Sequence, residues 1–266
     1  MPFQRMITLT TDFGLTEHYV GAMKGVIYGI NPTVQLVDIT NAVQSFDILD
    51  GAIAISQAYS YFPKDTVHVV VVDPGVGGAR RPIIANAGQY LFVAPDNGVL
   101  SLVYEREERV TVRHITSSHY FHQPVSNTFH GRDIFAPVAA YLSKGVDTAK
   151  FGDEITDFVR FAAPRPKAVG PNQWKGLVLK TDKFGNLVTN FTAKDVPQIF
   201  EGSANAKITV GKAEVTQLCS SYSQGAQGEL FAIVGSSGFL EISANKGAAS
   251  RLAGADKGSE VTVTVG

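Results

Sequence analysis

The sequence predicts an α/β protein in two parts: an N-terminal α/β domain with a mostly parallel central sheet, and a C-terminal antiparallel β-barrel domain. Three observations carry this expectation. Strand-like and helix-like segments alternate through the first half of the chain, the pattern that buries a parallel sheet between helices. A stretch with three prolines, "AAPRPKAVGPNQ" at 162–173, then interrupts all apolar periodicity and reads as a linker. Beyond it come short alternating strands punctuated by glycine, the pattern of an antiparallel barrel or sandwich. The expected boundaries are 1–162 for the first domain, 163–173 for the linker and 174–266 for the second.

Each element has its own signal. "MITLTT" (6–11) reads as a strand, and "TEHYVGAMKGVIYGINP" (16–32) as a helix with Thr16 as N-cap and Pro32 as stop. "VQLVDIT" (34–40) is a strand, and "FDILDGAIAISQAYSYF" (46–62) has helical spacing with acids in its first turn. "TVHVVVV" (66–72) is apolar enough for a strand covered on both faces. "PIIANA", "QYLFVA" and "VTVRHI" extend the sheet, and "GRDIFAPVAAYLSKG" (131–145) reads as a helix despite Pro137. The second half offers "WKGLVLKTD", "GNLVTNF", "AKITVGKAEV", "ELFAIVG", "GFLEISAN" and "EVTVTVG" as strands, with 244–258 as a loop carrying one short helix.

Composition excludes several function classes. Apolar residues make up 44% and charged residues 18% of 266, without an apolar run long enough to span a bilayer. With 23 basic against 24 acidic residues the formal charge is −1, so there is no basic field for nucleic acid or acidic lipid. The expected partner is a small molecule. The single cysteine, Cys219, excludes an internal disulfide and a cysteine-built zinc site, and reads as a small core residue. The N-terminus enters a strand pattern directly, without the regions of a signal peptide, and the expected location is the cytoplasm. "HYFH" (119–122) lacks a third ligand at suitable spacing, and no metal is expected.

Candidate chemistry gathers at strand ends. Asp73 lies where the valine run stops at "DPGVGG", the carboxyl edge at which α/β sheets bind ligands. The glycines match neither dinucleotide nor P-loop fingerprints, and Asp73 with Arg80, taken alone, reads more readily as a surface ion pair. Asp12 in "TTDFG" sits just after the first strand, where a carboxylate accepts ribose hydroxyls or caps a turn. His130 and Gly131 precede a helix opened by Arg132 and Asp133, a place for an electron-rich ligand atom. Asp182, Phe184 and Asn186 share the hairpin "TDKFGNLVTNF", and Ser237 the turn of "GSSGFLEISANKG"; turn chemistry explains both without a ligand.

Taken in order, "TTDFG", "VVDPGVG…RRPI", "APDNG", "TFHGRDIFAP", "TDKFGN" and "SSGFLEISAN" resemble the S-adenosylmethionine hydroxide adenosyltransferase family, the water-using relatives of the fluorinase and chlorinase. The resemblance spans nearly the whole chain. It implies a homotrimer with active sites between the N-terminal domain of one subunit and the C-terminal domain of the next. The implied reaction is displacement by water at the ribose C5′ of S-adenosylmethionine, giving adenosine and L-methionine, with no cofactor besides that substrate. By motif, Asp73, Arg80 and His130 activate water and Asp12 grips the ribose. Phe46 falls where the halogenating relatives present an aromatic. Asp182 and Ser237 are implied to hold the methionine end, Phe184 and Asn186 to face the adenine, and Asn245 and Gly247 to close over the base. Arg81 adjoins Arg80, so the choice of arginine rests on a seven-residue distance from Asp73.

Two other functions compete. A halogenase would bring chloride or fluoride to the same carbon, against the Asp73 carboxylate. A non-catalytic S-adenosylmethionine or adenosine sensor would keep the pocket but has no need of Asp73, Arg80 and His130 together.

Overall fold

The computed structural model describes residues 6–202 and 205–266. The chain divides into two compact units, Met1–Ala163 and Pro164–Gly266.

The first unit runs β1 (Met6–Thr11), α1 (Tyr19–Ile30), β2 (Gln35–Thr40), α2 (Ile48–Ala58), β3 (Val67–Val71), β4 (Pro82–Ala87), β5 (Tyr90–Pro95), α3 (Ser101–Tyr104), β6 (Val110–His114), α4 (Ala136–Ser143) and β7 (Glu154–Ile155). The strands form one sheet in the order β2-β1-β3-β5-β4-β6-β7. Its core follows the period-two geometry of a strand. Val67, Val69 and Val71 of β3 pack with Met23 and Ile27 of α1 and Val138 of α4. Val70 and Val72 point the other way, with Ile55 and Val103 on the side of α2 and α3. Helices therefore cover both faces of β3, which is why that strand carries no polar alternation beyond the buried His68.

Two sequence expectations are corrected here. The sheet is half parallel rather than mostly parallel: β1–β2, β1–β3 and β3–β5 run parallel, whereas β4–β5, β4–β6 and β6–β7 run antiparallel. Only residues 88 and 89 separate β4 from β5, with Gly88 at φ +58°. A parallel neighbour needs a crossover of a dozen residues or more, so this pair had to be a hairpin. The second correction is the start of α1, where His18 and not Thr16 stands at the N-cap, without a side-chain cap bond. Asp47 does cap α2, accepting from the Asp50 amide at 3.0 Å. The helix predicted over 131–145 begins as a π-turn, Gly131–Phe135, and continues as α4. Pro137 falls in the first turn of α4, where a missing N–H costs nothing.

The second unit contains β8 (Lys167–Gly170), β9 (Gln173–Thr181), β10 (Leu187–Thr192), α5 (Pro197–Phe200), β11 (Ala206–Val210), β12 (Ala213–Val215), β13 (Leu218–Cys219), β14 (Leu230–Val234), β15 (Phe239–Ala244), α6 (Ala249–Ala253) and β16 (Glu260–Val265). The proline-rich stretch thus contributes an edge strand, β8, paired with β9. The hydrogen-bonded path is β12-β11-β16-β9-β10-β15-β14-β13, antiparallel except for β13–β14. Its two end strands are joined by residues 216 and 217 alone, so the sheet has to curl back on itself around one core. Val215 of β12 and Leu218 of β13 pack in that core with Phe191, Leu240 and Ile242. Among the described pairings none links β12 to β13, which leaves a curled sheet with a seam. Cys219 is free and buried beside Phe231 and Ile233, and burial raises its thiol pKa, consistent with a packing role.

Candidate active site

The carboxyl ends of β1 and β3 lie side by side, since Thr11 pairs with Val71. Asp12 and Asp73 follow directly. After β3 the chain turns through Val76, whose amide bonds to the Asp73 carbonyl, and Gly77, at φ +76°. A Cβ on Gly77 would stand 2.2 Å from the Asn127 carbonyl oxygen, so glycine permits this loop and the 126–129 loop to touch. Arg80 is delivered back over Asp73.

The result is a buried fork. Arg80 Nε donates to Asp73 Oδ1 at 3.0 Å and its Nη2 donates to Asp73 Oδ2. The same Nη2 lies 2.8 Å from His130 Nδ1. The side chains of Arg80 and Asp73 are 9% and 4% exposed, and the guanidinium sits 5.4 Å over the ring of Phe135. Arg80 Nη1 is buried and has no hydrogen-bond partner among the described residues, so one charged donor remains for something that is not protein. Burial, and then the charge of Arg80, lower the pKa of His130, against smaller opposing effects of Asp73 and Asp133. The imidazole is therefore neutral at pH 7. Because Arg80 has no acceptor atom, Nδ1 must accept and the ring proton sits on Nε2.

The local fold explains why His130 is held. It stands at the N-cap of the π-turn, an irregularity enriched at functional sites. Asp133, fully buried within that turn, accepts from Arg132 Nε at 2.6 Å and from the Ser126 amide at 2.8 Å. The loop leading into His130 is thereby tied to the helix that follows. Gly131 is packed so closely that a Cβ would come within 3.3 Å of Met23, Phe129 and Phe13. Asp12 Oδ2 accepts the Phe46 amide at 2.9 Å. Phe46 itself is exposed, at φ +65°, a conformation uncommon for an aromatic residue.

In the second unit Asp182, Phe184, Asn186, Asn245 and Gly247 fall in two neighbouring turns, whereas Ser237 lies in a third, at the other end of β15. Asp182 Oδ1 accepts the amides of Phe184 and Asn186, each at 2.8 Å, and Oδ2 accepts Asn186 Nδ2 at 2.9 Å. Phe184 is left exposed. Gly185, at φ +86°, accepts the Ser250 amide at 2.9 Å, and a Cβ there would lie 2.6 Å from that of Ala248. This latch fixes the 182–186 turn against the segment holding Gly247. Asn245 is engaged by its own fold, donating to the Gly225 carbonyl at 2.8 Å. Ser237 lies half-buried in the β14–β15 turn. Nearby in sequence, Glu241 is buried and bonded to the Tyr222 hydroxyl at 3.0 Å, and desolvation raises its pKa.

The structure also separates the two arginines. Arg81 turns away from Asp73 and pairs with Asp96 and Asp157. Sequence reading left Asp96, Asn97, Asp133 and Phe135 without roles. "APDNG" was visible as a motif, but nothing in it tells which strand ends it touches. Among the described residues no group of three His, Cys, Asp or Glu side chains is arranged to hold a metal ion, and no helix is long and apolar enough to cross a membrane.

An α/β unit with a buried Asp–Arg–His fork at its sheet edge, followed by a curled β-unit, defines a narrow class of two-domain proteins. Residues 7–152 match the SAM hydroxide adenosyltransferase N-terminal domain and residues 176–262 the C-terminal domain of the same family. The chain belongs to the SAM hydroxide adenosyltransferase family. It is 36% identical to the (R)-S-adenosyl-L-methionine hydrolase of Salinispora tropica, over 98% of each chain. A fluorinase of Nocardia brasiliensis is 27% identical over 98% of this chain and 97% of its own. A solved structure of an uncharacterized conserved protein from Thermotoga maritima superposes with a TM-score of 0.90 at 36% identity, covering 97% of this chain and 100% of that one.

Proposed function

We propose that this protein is an S-adenosyl-L-methionine hydrolase, forming adenosine and L-methionine by attack of water on ribose C5′. One observation carries the reading: the buried Asp73–Arg80–His130 fork with its unpartnered Nη1, in a chain 36% identical to a relative named for this hydrolysis.

The chemistry asks little of the leaving group. As the C5′–S bond breaks, its electron pair returns to a sulfonium and gives a neutral thioether, so no general acid is required. The nucleophile is the difficulty, because free water has a pKa of ~15.7. Arg80 Nη1 and His130 Nε2–H are donors available to orient a water oxygen. With Nδ1 already accepting from Arg80, neutral His130 presents a proton rather than a lone pair. Asp73 is then the acceptor for the proton that leaves the water as the C5′–O bond forms. Its oxygens each retain a lone pair beside the arginine bonds. Hydroxide character meeting a sulfonium annihilates charge, a change that a dry, low-dielectric site favours. Asp12 would hold the ribose with Phe46 beside it, and Gly131 would give close approach next to His130. Asp182 and Ser237 would take the methionine end, Phe184 and Asn186 the adenine, and Asn245 and Gly247 the closing segment. No other cofactor enters.

A halide nucleophile would have to approach the buried Asp73 carboxylate, which argues against the fluorinase reaction despite that relative. A pure binding protein would not need a buried ion pair beside an unpartnered donor. We further propose a cytoplasmic homotrimer in which the C-terminal unit completes the site of a neighbouring subunit. What supports this is that the candidates for the ribose and the attacking water fall in the first unit and those for the methionine and adenine ends in the second, together with the family resemblance; sedimentation as a monomer at assay concentration overturns it. The catalytic test is incubation in ¹⁸O-water with the R and S sulfonium epimers supplied separately, since the relative's name specifies R. Labelled adenosine plus methionine is expected. Methylthioadenosine, or unlabelled adenosine, refutes the bond cleavage.

A further inference from the structure

The fork is made by two residues on separate chain segments, Asp73 after β3 and Arg80 before β4. Those strands are not neighbours: β5 lies between them in the sheet. Two consecutive residues at the carboxyl end of β5 reach sideways, one to each. Asn97 Nδ2 donates to the carbonyl of Val72 at 2.9 Å, the residue before Asp73, while its Oδ1 accepts the Val99 amide at 3.1 Å. On the other side the Asp96 amide donates to the Arg81 carbonyl at 2.8 Å, and Arg81 Nε and Nη2 donate to Asp96 Oδ2 at 2.9 and 2.7 Å. Asp96 Oδ1 accepts the Val159 amide at 2.8 Å, so the acid is committed on both oxygens and buried.

We propose that Asn97 and Asp96 are positioning residues for the hydrolysis, a two-sided clamp from β5 that sets the separation of Asp73 and Arg80 and so the aim of the fork. The proposal rests on the functional reading above. The ladder alone cannot set this separation, because Val72 and Arg81 both lie beyond the last residues of β3 and β4 that pair with β5. Beyond the ladder the Asp96 amide and the Asn97 and Asp96 side chains supply the hydrogen bonds. Asn97 donates to a carbonyl one residue from the reacting carboxylate. Arg81 thereby also acquires a role: it never faces the reacting atoms, but it anchors the backbone from which Arg80 projects.

Misplacing a catalytic group by about 1 Å costs on the order of a hundredfold, so Asn97→Ala should lower kcat by roughly ten- to a hundredfold with KM and adenosine affinity nearly unchanged. A residue that merely supports folding would give a different pattern. The decisive measurement is a cycle with Asp73→Asn. If Asn97 acts through Asp73, Asn97→Ala should cost less than about twofold in the Asp73→Asn background. An equal fold-loss in both backgrounds, with the variants folded by circular dichroism, overturns the proposal. Asp96→Asn, which keeps shape but removes the charge facing Arg81 and turns one of the two accepting oxygens into a donor, should lose kcat in the same sense. A second readout is independent of turnover: the His130 imidazole, followed by NMR, should titrate ~0.5 unit or more away from its wild-type midpoint in Asn97→Ala, and stay put in Lys24→Ala, a surface control. An unmoved His130 midpoint in Asn97→Ala refutes the clamp even in a protein that proves to have no hydrolase activity. A wild-type enzyme inactive toward both epimers refutes the functional reading instead.

Discussion

Arg80→Ala separates the stability of the fork from its chemistry. The substitution leaves Asp73, 4% exposed, without the guanidinium that donates to both of its carboxylate oxygens. Removing one partner of a buried pair typically costs about 3–5 kcal/mol, because the remaining charge is desolvated and uncompensated. For a unit of this size each kcal/mol moves the melting midpoint by roughly 2–4 °C, so a drop on the order of 6–20 °C is expected. The double variant Asp73→Leu/Arg80→Met removes both charges and fills their volume. Such exchanges are often neutral or stabilising by about 1–4 kcal/mol, and the midpoint should return to near that of the wild type. Turnover should not return with it, since loss of a buried donor aimed at developing charge costs on the order of 10²–10³ in kcat. Thermal unfolding of the full chain by circular dichroism, read beside adenosine release, gives both quantities. If the double variant melts as low as Arg80→Ala, the pair is not a desolvated unit. If it turns over normally, the fork is not the catalytic group.

Two further outcomes follow from buried geometry. His68 lies fully buried between Tyr59, Tyr90 and Phe92, with Nδ1 2.7 Å from Thr8 Oγ1, and burial brings its pKa down to about 3. A histidine depressed in the folded state binds its proton only on unfolding. Its contribution is thus complete above the unfolded value of ~6.5 and is lost as pH falls from there towards 3. Urea midpoints of the wild type should decline over that window and those of His68→Leu should decline less; parallel curves contradict the assignment. Gly185→Ala should raise KM with little change in kcat, because the added methyl meets Ala248 at 2.6 Å at φ +86° and forces apart the two turns proposed to hold the adenine. An unchanged KM would remove those turns from the binding site.

Much of the architecture could be read without coordinates. The continuous valines of β3, the abrupt "DPGVGG" and the alternating strands after the prolines report local periodicity and turn chemistry, which depend on near neighbours in the chain. Asp12, Asp73 and Asp182 are legible for the same reason: each ends a strand and begins a turn. Their association with one reaction came from the order of six motifs rather than from any one of them.

What tertiary structure alone decided are the relations between residues far apart in the chain. Arg80 and Arg81 are adjacent and of one type, separated in sequence only by their distance from Asp73, and it is the fold that turns one to Asp73 and His130 and the other to Asp96 and Asp157. The tautomer of His130 depends on an arginine fifty residues away. The role of Asn97 depends on β5 inserting between β3 and β4, out of chain order. The physical reason is common to all three. Periodicity records which face a side chain presents to its own strand or helix, whereas a partner is chosen by strand order and register, which are set when the whole sheet closes its hydrogen bonds.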